Sequence, residues 1–60
     1  MDLKKGDLVA FASAPDATWF EVLARDKFNL TIREYDGRGT PFAAQVMDES
    51  YVKQVLREKD

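Results

Sequence analysis

The 60-residue chain contains neither cysteine nor histidine, and this absence limits how it can be stabilised. A single core at this length rarely contributes more than roughly 3–5 kcal/mol, so small domains commonly add disulfides or a structural zinc ion. Without Cys, disulfides and thiolate zinc sites are excluded, and without His the other good zinc ligand is missing. The sequence therefore predicts a single domain over residues 1–60, with no metal and no cofactor, stabilised by packing or self-association.

The missing residue types also exclude several kinds of catalysis. Ser-His and Cys-His nucleophilic pairs both need an imidazole. Asp48 and Glu49 are adjacent, and adjacent residues on an extended chain point to opposite faces, which suits general acid–base work poorly. Gly37 and Gly39 flank Arg38 in a hairpin pattern and do not open a helix as a phosphate-binding loop would. We therefore predict that the protein is not an enzyme.

Net charge and hydrophobic content narrow the range of possible protein classes further. Nine Lys and Arg against eleven Asp and Glu give a net charge of −2, whereas nucleic-acid binders usually carry a basic excess. The hydrophobic fraction of 45% is typical of folded domains. The longest apolar stretch, residues 8–12, is too short for a membrane span, and the N-terminal residues lack the apolar run of a signal peptide. We expect a cytoplasmic protein.

Apolar residues recur with period two along most of the chain, which is typical of β-strands. Glycine, proline and aspartate mark the breaks between the apolar runs, most clearly at Asp36-Gly37, a signal for a tight hairpin turn. Five strands are predicted, over residues 8–12, 18–24, 28–35, 40–47 and 51–56. The last segment also fits a helix capped by Ser50, although a 3₁₀ turn followed by a strand is the favoured interpretation.

Alternation along these strands predicts which side chains face inward. A flat sheet of this size would leave one apolar face in water, whereas a small barrel buries that face and removes most exposed edges. We therefore predict an all-β, five-stranded small barrel. Its predicted inward residues are Val9, Phe11, Phe20, Val22, Ala24, Leu30, Ile32, Phe42, Ala44, Val46, Val52 and Val55.

The order of these signals resembles the SH3-like small barrels of the Tudor and KOW types. Lys5-Gly6-Asp7-Leu8-Val9 is similar to their K-x-G-D-x-V opening, and Thr18-Trp19-Phe20-Glu21-Val22 is similar to the W-Y-x-A second strand of Tudor domains. Tyr35-Asp36-Gly37-Arg38-Gly39-Thr40 resembles their Y-x-G-x-G-N hairpin. The segment Asp48-Glu49-Ser50-Tyr51-Val52-Lys53 lies where those barrels have a 3₁₀ turn before the last strand. The resemblance extends over roughly residues 3–56 and implies the same fold, but function does not follow from fold alone.

Tudor domains bind methylated lysine or arginine in a cage of four aromatic side chains, whose rings attract the cation. The resemblance places the second-strand cage position on Trp19 or Phe20 and the third-strand position on Tyr35. The two remaining positions lie near Ser13 and at Arg38, and neither residue is aromatic. Because Arg38 would repel a methylammonium group, the resemblance does not extend to methyl-mark binding.

We predict a non-catalytic module that binds a protein partner through an aromatic and arginine surface on the second and third strands. The candidate contact residues are Trp19, Leu23, Arg33, Tyr35 and Arg38, in which the rings supply area and the arginines supply direction. Trp19 has a second interpretation, in which it covers the open end of the barrel.

Two alternatives use neighbouring residues. In the first, the barrel binds single-stranded RNA or DNA, stacking bases on the same aromatic residues and contacting phosphates through Arg25, Lys27, Arg33 and Arg38. Acidic residues interleaved with these cations favour instead a solvated face with cross-strand ion pairs. In the second, the outward residues Leu8, Leu23 and Trp19 form a homodimer that supplies missing stability.

Overall fold

The computed structural model describes residues 3–56 and contains one antiparallel sheet of five strands. The strands are β1 (Leu8–Phe11), β2 (Trp19–Asp26), β3 (Asn29–Tyr35), β4 (Ala44–Asp48) and β5 (Val52–Leu56). A 3₁₀ turn, Glu49–Tyr51, separates β4 from β5. The prediction of an all-β fold with a 3₁₀ turn before the last strand is confirmed.

The helix considered for the last segment is wrong. Asp48 caps the start of the 3₁₀ turn, because its carboxylate accepts the backbone N–H of Ser50 at 2.8 Å. Val52 already has an extended backbone, and its N–H donates to the carbonyl of Glu49. The turn therefore ends after three residues, and pairing with β1 holds the rest of the segment extended.

The strand order across the sheet is β4-β3-β2-β1-β5. Consecutive strands pair except for β4 and β5, and β5 instead pairs with β1, which therefore lies between β2 and β5. Within residues 3–56, β4 and β5 are the two edges and do not pair with each other. The sheet is therefore open on that side, and backbone hydrogen bonds do not close it into the expected barrel.

The core lies on one face of the sheet, as the alternation of apolar residues in β1, β2 and β3 predicts. Phe11 and Phe20 meet edge to face, with ring centroids 5.4 Å apart and an interplanar angle of 68°. Six predicted core residues are confirmed as buried, Val52 and Val55 pack partly buried against them, and Leu3 joins them unpredicted. The buried apolar residues of this cluster are Leu3, Val9, Phe11, Phe20, Val22, Leu30 and Ile32.

The predicted inward face of β4 is wrong. Ala44 and Val46 are exposed, and Met47 packs against the core instead. The register pairs Met47 with Leu30, and residues directly opposite each other in an antiparallel pair share a face. The strand begins at Ala44, four residues later than predicted, because residues 36–43 form a longer loop; Phe42 lies in that loop, half-buried.

Ala24 was also predicted to face inward and is exposed. The register of β2 against β3 shifts between Val22 and Ala24, so Leu23 is the extra residue of a β-bulge. Beyond the bulge, Ala24 pairs with Thr31, which lies on the outer face. One inserted residue has therefore reversed the phase of the alternation in the second half of β2.

The segment before β1 is held against β2 by backbone and side-chain hydrogen bonds. Asp7 is buried, and its carboxylate accepts the N–H of Lys4 at 3.1 Å. Its carbonyl accepts the N–H of Val22 at 2.9 Å, and the N–H of Gly6 donates to the carbonyl of Val22, also at 2.9 Å. This arrangement places Leu3 in the core, although the period-two pattern does not reach that far.

Candidate binding site on the outer face of the sheet

Trp19 and Tyr35 lie directly opposite each other on β2 and β3, at the end of the sheet where the 36–43 loop begins. Directly opposite residues share a face, and Trp19 alternates with the buried Phe20, so both rings are on the outer face. Trp19 is half-buried and Tyr35 is 45% exposed. A Cβ atom at Gly37 would lie 4.0 Å from Cε2 of Tyr35, so the ring extends towards the loop.

The next cross-strand pair on this face is ionic. Glu21 lies opposite Arg33, and Nη2 of Arg33 is 3.3 Å from Oε1 of Glu21. Both side chains are partly shielded from water, which strengthens the attraction relative to a fully exposed pair. The charge of Arg33 is thus largely balanced within the sheet.

An open cleft of about 160 Å³ lies beside Tyr35. The strands contribute Glu21, Arg33, Glu34 and Tyr35 to its walls. The loop contributes Asp36, Gly39, Thr40 and Pro41. We call this set the aromatic cleft. Glu34 lies opposite the inward Phe20, so its side chain is on the other face of the sheet. Glu21 and Asp36 then outnumber Arg33 on the cleft side, and the charge balance there is negative.

The loop wall of the aromatic cleft is ordered by Asp36. The Asp36 carboxylate accepts the backbone N–H of Arg38 at 2.8 Å and the hydroxyl of Thr40. The Thr40 hydroxyl first, and the Arg38 N–H second, lower the pKa of Asp36 below its ordinary value, since both bonds favour the charged carboxylate. Gly37 and Gly39 both have φ of +77°, a conformation that other residues rarely adopt. The loop sequence is thus suited to this conformation.

The structure brings together part of the predicted partner surface. Trp19, Tyr35 and Arg33 are neighbours on the outer face. Arg38 lies in the loop that forms one wall of the aromatic cleft, and within residues 3–56 its guanidinium has no ion-pair partner. Leu23 is half-buried in the bulge, further along β2.

The cations of the nucleic-acid alternative fall into two groups. Arg25 and Lys27 lie at one end of the β2–β3 hairpin, whereas Arg38 lies beyond the other end, about 20 Å away at the usual rise per strand residue. Arg25 is bound by Glu49, and Arg33 is bound by Glu21. Two of the four cations are therefore already paired.

The positions implied by the Tudor resemblance are only partly suited to a cage. Phe20 is buried and packs on Phe11, so Trp19 is the available ring on β2. Ser13 is exposed in the β1–β2 connection, and Arg38 remains non-aromatic. The two rings that are present, Trp19 and Tyr35, belong to the cross-strand pair described above.

Sequence reasoning missed the acidic and loop residues of the aromatic cleft. Glu34 and Asp36 flank Tyr35 in sequence, where acidic residues interleaved with cations favour a solvated face of alternating charge. Thr40 and Pro41 were assigned to a strand, but they lie in the loop. The available signal was Tyr35-Asp36 just before a glycine-rich turn, which brings a ring and a carboxylate to one strand end.

Three broader observations complete the description. Among residues 3–56 no group of three or more acidic, Cys or His side chains is arranged to hold a metal ion. No helix in this part of the chain is long and apolar enough to cross a membrane. No protein family, curated protein or solved structure matches the chain.

Proposed function

We propose that this chain is a non-catalytic interaction module that binds a protein partner at the aromatic cleft. The observation that carries the proposal is the Trp19–Tyr35 pair, which places an exposed ring beside a concave surface on a sheet face. Exposed aromatic side chains commonly anchor protein interfaces, because they bury large areas with few rotatable bonds. The predicted cytoplasmic location accords with this function.

The charge of the aromatic cleft favours a cationic partner segment. The Glu21 carboxylate is bound by Arg33. The Asp36 carboxylate accepts the backbone N–H of Arg38 and the hydroxyl of Thr40, and within residues 3–56 it has no ion-pair partner. A lysine or arginine side chain entering beside Tyr35 would meet the Asp36 carboxylate and the ring together. A cation against an aromatic face contributes about 0.5–1 kcal/mol at an exposed site. The cleft is smaller than the roughly 300–1,000 Å³ of small-molecule sites, so it suits one side chain.

Arg38 gives this surface a second kind of contact. Its guanidinium has no ion-pair partner within residues 3–56, and it projects from the loop that lines the cleft. Arginine offers five donors in a rigid fork that fits carboxylates. The proposed partner segment therefore has a cation for the cleft and an acidic or carbonyl group near it for Arg38.

The nucleic-acid alternative has weaker support. Phosphate binding needs unpaired cations close together, but Arg25 and Arg33 are paired and the remaining Lys27 and Arg38 are far apart. The negative charge of the aromatic cleft also repels phosphates near Tyr35. We therefore retain the alternative as an outcome of the experiment that follows.

The test is a two-dimensional amide NMR titration with three probes. These are hexapeptide mixtures with arginine fixed at a central position, the same mixtures with glutamate fixed there, and a mixed-sequence single-stranded oligonucleotide. We expect the arginine mixture to shift the amides of Trp19, Arg33, Glu34 and Tyr35, and the glutamate mixture to leave them unmoved. Equal shifts with both peptide mixtures, or none with either, would contradict a cationic partner. Shifts with the oligonucleotide that vanish as salt rises would favour the nucleic-acid alternative.

Two tyrosine variants locate the binding surface. Tyr35→Ala removes the ring from the cleft, and Tyr51→Ala removes a ring of similar exposure from the 3₁₀ turn, outside the cleft. We expect Tyr35→Ala to abolish the arginine-dependent shifts and Tyr51→Ala to preserve them. The reverse pattern would place the partner surface at the 3₁₀ turn.

A further inference from the structure

We propose that the free edge of β4 pairs with the same edge of a second copy of this chain, forming a two-fold symmetric dimer. This proposal does not depend on the function of the aromatic cleft. Natural sheets protect edge strands with charges, prolines, bulges or covering segments. From Ala44 to Met47 the β4 strand has no charge and no proline, and its register with β3 is regular.

The other edge of the sheet is protected differently. β5 carries Lys53 as its second residue, and its pairing with β1 shifts register there, since Ala10 pairs with Gln54 and Phe11 with Val52. Lysine and irregular pairing are both devices that discourage strand addition. The two edges therefore differ, and β4 is the one suited to accept another strand.

One hydrogen bond shows which backbone groups of β4 face outwards. The N–H of Glu49 donates to the carbonyl of Phe28 at 2.8 Å, and the β3–β4 register places these two residues opposite each other. In an antiparallel pair, hydrogen-bonded positions alternate with non-hydrogen-bonded ones. Gln45 and Met47 therefore bond to β3, whereas Val46 and its alternate neighbours direct their N–H and C=O groups to the free edge.

The outward N–H and C=O groups of β4 can bond to the same groups of a second copy of β4 in one antiparallel register. A two-fold axis at Val46 places the two Val46 residues opposite each other and each Ala44 opposite the other copy's Asp48. About four backbone hydrogen bonds then form: two between the Val46 residues and two from Asp48 N–H to Ala44 carbonyls. The Val46 side chains, 65% exposed in the single chain, cover each other on the outer face.

Charge and symmetry favour pairing of β4 with β4 of a second copy over pairing with any other strand edge. The only charged residue of β4 is Asp48, and the two-fold places its copies at opposite ends of the paired strands. Pairing β4 of one copy with β5 of the next would be heterologous and would continue into rings or fibres unless it closed. Two β4 edges form a closed pair, in which each protomer retains its protected β5 edge.

The size of the contact sets the expected affinity. One five-residue strand pair buries far less than the roughly 1,200 Å² of a standard stable interface, so the dimer is expected to be weak. It should form at about 1 mM protein and dissociate at about 10 μM, because association follows mass action. Both conditions are accessible to hydrogen exchange and sedimentation measurements.

The first experiment measures hydrogen exchange of individual amides in the wild-type chain at these two concentrations. We expect the Val46 amide to exchange at least several-fold more slowly at the higher concentration, while the Gln45 and Met47 amides, bonded to β3, change little. Equal Val46 exchange at both concentrations would overturn the proposal. So would concentration-dependent protection that appears at β5 and not at β4.

The second experiment compares two charge variants by sedimentation equilibrium. Val46→Lys places like charges across the proposed two-fold, and Leu56→Lys adds the same charge at another exposed residue on the opposite edge. We expect Val46→Lys to be monomeric at about 1 mM and Leu56→Lys to dimerise like the wild type. Loss of the dimer in Leu56→Lys alone would assign self-association to the face that includes Leu8 and overturn the β4 assignment. The amide spectrum of each variant establishes that it is folded.

Discussion

Arg25 binds Glu49 through two hydrogen bonds, with Nε 2.8 Å from Oε1 and Nη2 3.3 Å from Oε2. The pair connects the end of β2 to the 3₁₀ turn, 24 residues later in the chain. The backbone N–H of Glu49 also donates to the carbonyl of Phe28. Backbone and side-chain bonds of one residue therefore hold the β2–β3 turn against the corner between β4 and β5.

Arg25→Ala is expected to lower the free energy of unfolding by about 0.5–1 kcal/mol, because the pair is partly exposed but has bidentate geometry. Lys27→Ala is the matched control, since Lys27 has no ion pair within residues 3–56. Urea unfolding of both variants measures the difference. Equal effects of the two substitutions would show that the ion pair contributes nothing to stability.

The carboxyls of Asp36 and Asp48 should titrate below their ordinary value. The Thr40 hydroxyl and the Arg38 N–H lower the pKa of Asp36, and the N–H and hydroxyl of Ser50 lower the pKa of Asp48. A carboxyl whose folded pKa is lowered contributes stability that is fully present above its unfolded pKa, near 3.8. That stability is lost as the pH falls through the folded value.

NMR titration of the side-chain carboxyls checks this expectation. Thr40→Val removes the hydroxyl that binds Asp36 and should raise the pKa of Asp36 towards its ordinary value. The pKa of Asp48 should stay unchanged, because its partner Ser50 is unaffected. A shift of both carboxyls, or of neither, would contradict the assignment of these bonds.

The face assignment of β4 predicts unequal effects for two adjacent substitutions. Met47→Ala should lower the free energy of unfolding by about 1–2 kcal/mol, since Met47 packs partly buried against the core. Val46→Ala should change it by less than about 0.5 kcal/mol in dilute protein, where Val46 is exposed. Thermal or urea unfolding distinguishes them, and a larger effect at Val46 would support the inward Val46 predicted from the sequence.

The β2–β3 turn contains a residue in an unfavourable conformation. Lys27 has φ of +57°, in the left-handed region that glycine adopts without strain. Lys27→Gly should therefore raise the free energy of unfolding by about 0.5–1 kcal/mol. Ala24→Gly, in β2 without positive φ, should lower it. If both glycine variants were destabilised, strain at Lys27 would not be the cause.

The sequence predicted the fold where polar and apolar residues alternate strictly. Leu30 and Ile32 alternate with polar residues in β3, and both are buried. In β4, Val46 and Met47 are adjacent apolar residues, so alternation does not distinguish the two faces. The deciding constraint is the register with β3, which depends on the length of the preceding loop. At Ala24 the local pattern was clear, but the bulge at Leu23 shifted its phase.

The sequence predicts less of the candidate site than of the fold. Cross-strand neighbours such as Trp19 and Tyr35 follow from the hairpin, which the sequence signals well. The walls of the aromatic cleft depend on how residues 36–43 fold back beside Tyr35, and this conformation is stabilised by the bonds of Asp36 to Arg38 and Thr40. A tight-turn interpretation of Asp36-Gly37 gives no indication of a cleft.

The pairing of β1 with β5 has a consequence for the order of folding. Val9 and Val55 lie opposite each other but are 46 residues apart in the chain, whereas every other strand pair joins consecutive strands. Closing so long a loop carries an entropic cost before any contact is gained, so this pairing is expected late in folding. During synthesis, β1 to β4 emerge while one edge of β1 is still unpaired. The arrival of β5 then pairs that edge of β1 and adds Val52 and Val55 to the packing around the core.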